Sequence, residues 1–142
     1  MRSLLFVSLI AVGSLAGCSK SKPEQAPAGE LAEAKVATVS IDQLDAMLAK
    51  NECQAVDANG DGTRKKLGVI PGAVLLTDSE SFVPSELPAD KAKGLVFYCA
   101  NTSCGASHEA ASKAILAGYS NVKVLPDGIA GWVKAGKKVQ TI

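Results

Sequence analysis

The stretch Val96-Phe97-Tyr98-Cys99-Ala100-Asn101-Thr102-Ser103-Cys104-Gly105-Ala106-Ser107-His108 decides the fold of this chain. It opens with apolar residues typical of a buried strand, ends that strand at Cys99, and continues through small and polar residues into an alanine-rich, helix-like segment. A cysteine between a strand and a helix lies where backbone N–H groups and the helix N-terminus can stabilise a thiolate. We therefore expect Cys99 to be the reactive centre of the protein.

Strand-like and helix-like segments alternate around this stretch and predict a single α/β domain, a parallel sheet with helices on both faces. Continuous apolar runs at 73–76 and 95–98, with further candidates at 54–57 and 121–125, are typical of its strands. Ser40 is placed to cap a first helix, and Ser107 or a neighbour to cap a second. The expected inward face of that second helix comprises Ala110, Ala111, Ala114, Ile115 and Leu116, and Gly118 ends it. Ligands of such sheets gather at the carboxyl ends of the strands, where Cys99 falls.

The first residues of the chain form a targeting segment rather than part of the fold. Arg2 supplies a positive charge, residues 4–15 are an apolar run, and Leu15-Ala16-Gly17-Cys18 resembles a bacterial lipoprotein processing box. The run is shorter than the roughly 20 residues of a spanning helix, so an ordinary secretory signal or a short anchor is the weaker alternative. We expect residues 1–17 to be a lipoprotein signal peptide and Cys18 to carry the lipid, on a bacterial membrane and facing the periplasm. The serine after Cys18 favours the outer membrane.

The remaining chain divides into a tether and one domain. Residues 18–38 are poor in large apolar side chains and rich in Pro, Ala, Lys and Glu, which predicts a flexible tether. Residues 39–142 are long enough for a single hydrophobic core. A net charge of +1, with three Phe, two Tyr and one Trp, provides neither a basic stripe nor a stacking platform for nucleic acid. We therefore exclude nucleic acid as a partner.

Several phrases, in chain order, resemble the rhodanese-like (sulfurtransferase) family. Val69-Ile70-Pro71-Gly72-Ala73 resembles the family's phrase in which a turn leads into the next strand, with Val69 where histidine is usual. Asp57 matches the acidic residue that closes an early strand. The family's closing pattern is matched by Gly118-Tyr119, the apolar run 122–125, Gly128 and Gly131-Trp132. The resemblance covers roughly residues 39–140 and implies a rhodanese-like fold with a persulfide on the strand-terminal cysteine.

The resemblance implies a sulfurtransferase, in which the Cys99 thiolate takes sulfur from thiosulfate or another small sulfane donor and passes it to a thiol acceptor. Because the thiolate is the nucleophile, we expect the pKa of Cys99 to be lowered. No Arg or Lys lies between Cys99 and Ser107, so backbone N–H groups and the helix dipole would have to lower it. The missing arginine also argues against phosphatase or arsenate-reductase chemistry. The loop expected to surround the sulfur or a bound anion comprises Ala100, Asn101, Thr102, Ser103, Gly105, Ala106 and Ser107, and no cofactor is expected.

Cys104 departs from the family pattern, because it follows Cys99 by five positions in a loop about two residues longer than the standard one. Three roles stay open for it: a thiol that resolves the persulfide by forming a Cys99–Cys104 disulfide, half of a redox switch or static disulfide, or a small buried side chain. Cys53 is expected in the core, with pairing as the weaker alternative. The rival function is a catalytically silent module that binds a thiol, an anion or an envelope protein partner in the same pocket.

His108 and Asp57 are the candidate assisting groups. His108 can exchange protons near neutral pH, although a solvated position in the helix's first turn is the simpler interpretation. Residues 57–62 begin like an EF-hand calcium loop, but its twelfth position is Gly68 and residues 64–66 are basic, which favours an Asx-rich turn. No cysteine and histidine spacing makes a zinc site, so no metal is expected. Trp132 is expected to pack into the core.

Overall fold

The computed structural model describes residues 36–142. The expectations for the signal peptide, for Cys18 and for most of the tether lie outside these residues. In the part described, five strands form one sheet. No helix in this part is long and apolar enough to cross a membrane.

The strands alternate with helices along the chain. The strands are β1 (Ala37–Thr38), β2 (Cys53–Asp57), β3 (Val74–Leu75), β4 (Gly94–Tyr98) and β5 (Val122–Leu125). The helices are α1 (Ile41–Ala49), α2 (Asp61–Leu67), α3 (Ala106–Leu116) and α4 (Gly128–Lys134), with a 3-10 turn at Pro84–Glu86. The strands lie in the order β1-β5-β4-β2-β3, and every strand pair is parallel. Parallel neighbours need long crossover connections, usually helical, and the predicted parallel α/β architecture is confirmed.

The first strand was not predicted. Ala37 and Thr38 pair with Lys123 and Val124 of β5, so the sheet begins two residues before the expected domain boundary at Val39. Val36 and Val39, which flank the strand, are buried. Backbone hydrogen bonds define this short edge strand, and a sequence of two residues carries no alternating pattern that could reveal it.

Side chains of β4 alternate between two apolar layers, which fixes the direction of Cys99. Leu95 and Phe97 lie in the layer that contains α3, whereas Val96 and Tyr98 lie in the layer with α1 and α4. Each such side chain contributes about 1.5–3 kcal/mol when it is fully buried. Because strand side chains have a period of two, Cys99 follows Leu95 and Phe97 into the α3 layer.

Helix α3 packs on the sheet through small residues, and part of its predicted face is wrong. Ala110, Ala111 and Ala114 are fully buried, but Ile115 is 37% and Leu116 is 73% exposed. The buried set, which begins at Ser107, follows the i, i+3, i+4, i+7 spacing of one helix face. Ile115 lies at the margin of that face, and Leu116 lies on the opposite side.

The predicted helix caps have different outcomes. Ser40 caps α1 as expected: the Gln43 N–H donates to Ser40 Oγ (3.2 Å), and the Ser40 N–H donates to Gln43 Oε1 (2.8 Å). Ser107 is not a cap, because α3 begins one residue earlier, at Ala106, and Gly105 is the capping residue without a side-chain bond. The Ser107 side chain instead turns inward and is buried, so the sequence position was suited to a cap but the hydroxyl is used elsewhere.

Candidate active site

The cysteine loop, residues 99–105, leaves the carboxyl edge of the central strands. Asp57, the last residue of β2, is in register with Tyr98 of β4, and the Ala58 N–H donates to the Tyr98 carbonyl at 2.9 Å. Cys99 follows directly and is 1% exposed. This is the edge at which parallel α/β sheets bind their ligands, so the structure places Cys99 where the sequence predicted it.

The Cys99 thiol is held beneath its own loop. Its Sγ donates to the Cys104 carbonyl oxygen at 3.1 Å and lies 3.3 Å from Ser107 Oγ. Burial raises the pKa of Cys99, contact with Cys104 raises it further, and hydrogen bonds from the Ser107 hydroxyl and backbone N–H only partly oppose this. The expectation of a lowered pKa at Cys99 is therefore wrong for this arrangement. Burial and a carbonyl acceptor both favour the protonated thiol.

The surroundings of Cys104 shift its pKa in the direction that was expected for Cys99. Burial raises the pKa of Cys104, but the neighbouring Cys99 thiol and the nearby backbone N–H groups of Ala100 and Ala106 outweigh burial, and the net pKa lies below its ordinary value. The Ala106 N–H belongs to the first turn of α3, where orphan donors point away from the helix. Cys104 is only partly buried, so its sulfur is the more accessible of the two.

The rest of the loop is shaped by a turn. The Cys104 N–H donates to the Asn101 carbonyl at 3.1 Å, and the Ser103 N–H donates to Asn101 Oδ1 at 3.0 Å. Asn101, Thr102, Ser103 and Gly105 are exposed. Within residues 36–142, Ser107 supplies the one hydroxyl that is hydrogen-bonded to a cysteine sulfur. The predicted polar donors therefore divide into Ser107, which contacts Cys99, and an exposed rim.

The N-terminal end of helix α4 holds the cysteine loop through backbone hydrogen bonds, and the sequence did not predict this contact. The Ile129 N–H donates to the Cys99 carbonyl at 2.9 Å, and the Ala130 N–H donates to the Ala100 carbonyl at 3.0 Å. Gly128 precedes them with a φ of 60°, in the left-handed region that favours glycine. Gly128 belongs to the closing pattern of the family resemblance, but nothing in that pattern indicates that it contacts the cysteine loop.

The two candidate assisting groups lie in different environments. Asp57 is fully buried, and its Oδ1 accepts from the Asn59 N–H (2.7 Å) and from Arg64 Nε (3.3 Å). Arg64 also donates to the Leu76 carbonyl at 2.8 Å, so the ion pair joins β2, α2 and the end of β3. In the part described, the hydrogen bonds of Asp57 go to these groups rather than to a cysteine. His108 is exposed in the first turn of α3, which agrees with the simpler, solvated interpretation.

Residues 57–62 do not form a calcium loop. Helix α2 begins at Asp61, and the Asp57 carboxylate is paired with Arg64. Residues 36–142 contain no group of three His, Cys, Asp or Glu side chains that could hold a metal ion. Trp132 is buried as expected, and its Nε1 donates to the Lys138 carbonyl at 2.8 Å.

Cys53 lies at the opposite end of the sheet from the cysteine loop. It is in register with Gly94 at the start of β4, whereas Cys99 follows the end of β4. A five-residue strand spans roughly 17 Å, far beyond the ~7 Å between Cα atoms that a disulfide allows. Cys53, Cys99 and Cys104 are all free thiols, and burial raises the pKa of Cys53. Cys53 is a core residue, as expected.

The geometry of a cysteine at the carboxyl edge of a parallel sheet can be compared with known proteins. Residues 40–135 match the family model of the rhodanese-like domain. The chain belongs to the rhodanese-like family. No curated protein matches it closely enough to serve as a relative.

Solved structures share the rhodanese-like fold with this domain. A protein from Bacillus halodurans is 24% identical with a TM-score of 0.65, over 74% of this chain and 77% of that one. The rhodanese-like domain of an Anabaena protein is 21% identical with a TM-score of 0.61, over 74% and 79% of the two chains. Thiosulfate sulfurtransferase from Pseudomonas aeruginosa is 22% identical with a TM-score of 0.63, over 75% of this chain but 20% of that one. At such identities the likeness establishes the fold, and the function must be argued from the site.

Proposed function

We propose that this rhodanese-like domain is a sulfurtransferase or thiol-redox protein that carries sulfane sulfur as a persulfide on Cys99, with Cys104 as its partner thiol. The observation that carries the proposal is the pairing of two free thiols in one loop at the carboxyl edge of the sheet. Cys99 Sγ lies 3.1 Å from the Cys104 carbonyl and 3.3 Å from the Ser107 hydroxyl. The fold shared with a thiosulfate sulfurtransferase supports the same class of chemistry.

The chemistry requires only sulfur nucleophiles and a sulfane donor. A cysteine thiolate attacks the outer sulfur of the donor, the donor's S–S bond breaks, and the leaving group departs with the electron pair. An acceptor thiolate then attacks the outer sulfur of the persulfide and regenerates the cysteine. Attack by the Cys104 thiolate on the inner sulfur of a Cys99 persulfide instead expels hydrosulfide and leaves a Cys99–Cys104 disulfide.

The loop's neutrality constrains the donor. Residues 100–107 contain no Arg or Lys, so an anionic donor would be held by backbone N–H groups and exposed polar side chains rather than by a charged clamp. Small donors suit such a site because they need few contacts. Thiosulfate is the simplest donor to test.

Sulfur uptake can be measured on one tryptic peptide. Residues 94–113 follow Lys93, end at Lys113, and contain Cys99 and Cys104 but no other cysteine, so Cys18 and Cys53 do not interfere. After exposure to thiosulfate and alkylation, we expect this peptide to gain about 32 Da, the mass of one sulfur, beyond the alkyl groups. Cys53→Ser, the matched control, should load like the wild type.

A double variant, Cys99→Ser with Cys104→Ser, should take up no sulfur in this peptide. If the wild type gains no sulfur from thiosulfate or from a small-molecule persulfide and forms no Cys99–Cys104 disulfide, the proposal fails. The silent module that binds a thiol, an anion or an envelope partner would then be the better account.

Attachment to a membrane through Cys18 is a second part of the proposal. The sequence Leu15-Ala16-Gly17-Cys18 supports processing before Cys18 and acylation of its sulfur. The domain would then face the periplasm, with the outer membrane favoured. An oxidising compartment of this kind favours pairing of neighbouring thiols, which gives a Cys99–Cys104 switch a setting in which to operate.

A further inference from the structure

The two thiols of the cysteine loop differ in access. Cys99 is 1% exposed, and its Sγ is enclosed by the Cys104 carbonyl and by Ser107, which is also buried. Cys104 is partly exposed and follows the exposed residues 101–103. A donor that approaches from solvent therefore meets Cys104 first.

The thiols also differ in which protonation state their surroundings stabilise. The Cys104 carbonyl oxygen accepts a hydrogen bond from Cys99 Sγ at 3.1 Å, and an oxygen acceptor at that distance would repel a thiolate. Burial raises the pKa of Cys104, but the neighbouring Cys99 thiol and the nearby N–H groups of Ala100 and Ala106 lower it below its ordinary value. Because Cys104 is the more exposed thiol and Cys99 donates to a carbonyl oxygen, the nucleophilic form of the pair places the charge on Cys104 and the proton on Cys99.

We propose that Cys104 makes the first attack on the sulfane donor and that Cys99 then takes the sulfur from Cys104. This inference rests on the proposed function and adds the order in which the two thiols react. It assigns Cys104 the role of first acceptor, in addition to any later role in resolving the persulfide.

The two steps balance without any further reagent. In the first, the Cys104 thiolate forms a bond to the outer sulfur of thiosulfate, the S–S bond breaks, and sulfite leaves with the electron pair. In the second, Cys99 Sγ attacks the outer sulfur of the Cys104 persulfide, and the Cys104 sulfur departs with the bonding pair. The proton of the Cys99 thiol passes to the departing Cys104 sulfur, so Cys99 ends as the persulfide anion and Cys104 as the thiol.

Single variants of the full chain test the order. Cys99→Ser keeps the first acceptor, so residues 94–113 should still gain about 32 Da from thiosulfate, now on Cys104. Cys104→Ser leaves the buried Cys99 alone and should load at least about tenfold more slowly than Cys99→Ser. The alanine variants at both positions repeat the comparison, and unfolding curves select the pair that keeps wild-type stability.

A second measurement needs no sulfur donor. In the reduced wild type near neutral pH, iodoacetamide should modify Cys104 at least about tenfold faster than Cys99, with the modified residue located by fragmentation of the 94–113 peptide. Faster modification of Cys99 would overturn the order.

The outcomes separate this inference from the proposed function. If Cys104→Ser loads at the wild-type rate and Cys99→Ser takes up no sulfur, Cys99 attacks the donor directly, so the order is wrong while the proposed function stands. If the wild type neither takes up sulfur nor forms a Cys99–Cys104 disulfide, the proposed function fails.

Discussion

Replacing Gly128 by alanine tests whether helix α4 fixes the position of the cysteine loop. An added Cβ would lie 2.5 Å from the Cys99 carbonyl oxygen and 2.6 Å from the Ala100 carbonyl carbon. Non-bonded carbon atoms are in favourable contact at about 3.5–4.0 Å, and both obstructing atoms are backbone, so the loop itself must move. That movement would weaken the hydrogen bonds that α4 makes to the Cys99 and Ala100 carbonyls.

The magnitude follows from two costs that a matched variant separates. Gly136, just beyond the other end of α4, has a φ of 73°, close to the 60° of Gly128, but an added Cβ there would meet nothing within 4 Å. Gly136→Ala should therefore cost only the left-handed backbone strain, about 1–2 kcal/mol. Gly128→Ala should add about 1–3 kcal/mol for overpacking against the loop.

Urea unfolding and sulfur loading of residues 94–113 provide the assays. We expect Gly128→Ala to lower the free energy of unfolding by about 1–3 kcal/mol more than Gly136→Ala. Because a displacement of about 1 Å can cost on the order of 100-fold in rate, Gly128→Ala should also load sulfur about 10- to 100-fold more slowly. Gly136→Ala should load at the wild-type rate. Equal stability of the two variants, with equal loading, would refute the role of α4 as a support for the loop.

Three further substitutions test the Ser107 hydroxyl, the buried ion pair of Asp57 and Arg64, and lipidation at Cys18. Ser107→Ala removes the hydroxyl that lies 3.3 Å from Cys99 Sγ, so the pKa of Cys99 should rise further. Alkylation of Cys99 should slow about three- to tenfold, the equivalent of one hydrogen bond. An unchanged rate would show that the Ser107 hydroxyl does not stabilise the Cys99 thiolate. Arg64→Met leaves the Asp57 carboxylate buried without its ion-pair partner and should lower the free energy of unfolding by about 3–5 kcal/mol in urea, whereas a loss below about 1 kcal/mol would contradict this. Cys18→Ser should leave an unprocessed or soluble precursor on membrane fractionation, and a fully processed, membrane-bound variant would disprove lipidation at Cys18.

Much of the fold could be predicted because local patterns and the global architecture agree. Residues 95–98 are continuously apolar, as a central parallel strand requires, and Ser40 with Gln43 forms a complete capping box. β1 could not be predicted, because its two residues are held by backbone bonds to β5. The exposure of Ile115 and Leu116 was missed because an apolar residue beside a helix face does not reveal how far that face extends.

At the candidate site, position could be predicted but the division of labour could not. The strand pattern fixes Cys99 at the sheet edge, since it depends on residues next to it in the chain. The path of the loop decides which sulfur lies near the N–H groups of Ala100 and Ala106. The turn from Asn101 to Cys104 is part of that path. The support from Gly128 comes from a distant part of the chain and has no local signal.

A loop without cationic side chains can stabilise only one thiolate of this pair. A helix N-terminus contributes about 0.3–1 kcal/mol to a nearby anion, whereas two unit charges about 4 Å apart repel by roughly 1–4 kcal/mol between bulk water and the protein surface. Ionisation of one thiol should therefore oppose ionisation of the other. The Cys104 carbonyl oxygen favours the protonated form of Cys99, and the nearby N–H groups of Ala100 and Ala106 favour the thiolate form of Cys104. With the charge on Cys104, its sulfur attacks the donor first, and Cys99 reacts only after Cys104 carries the transferred sulfur.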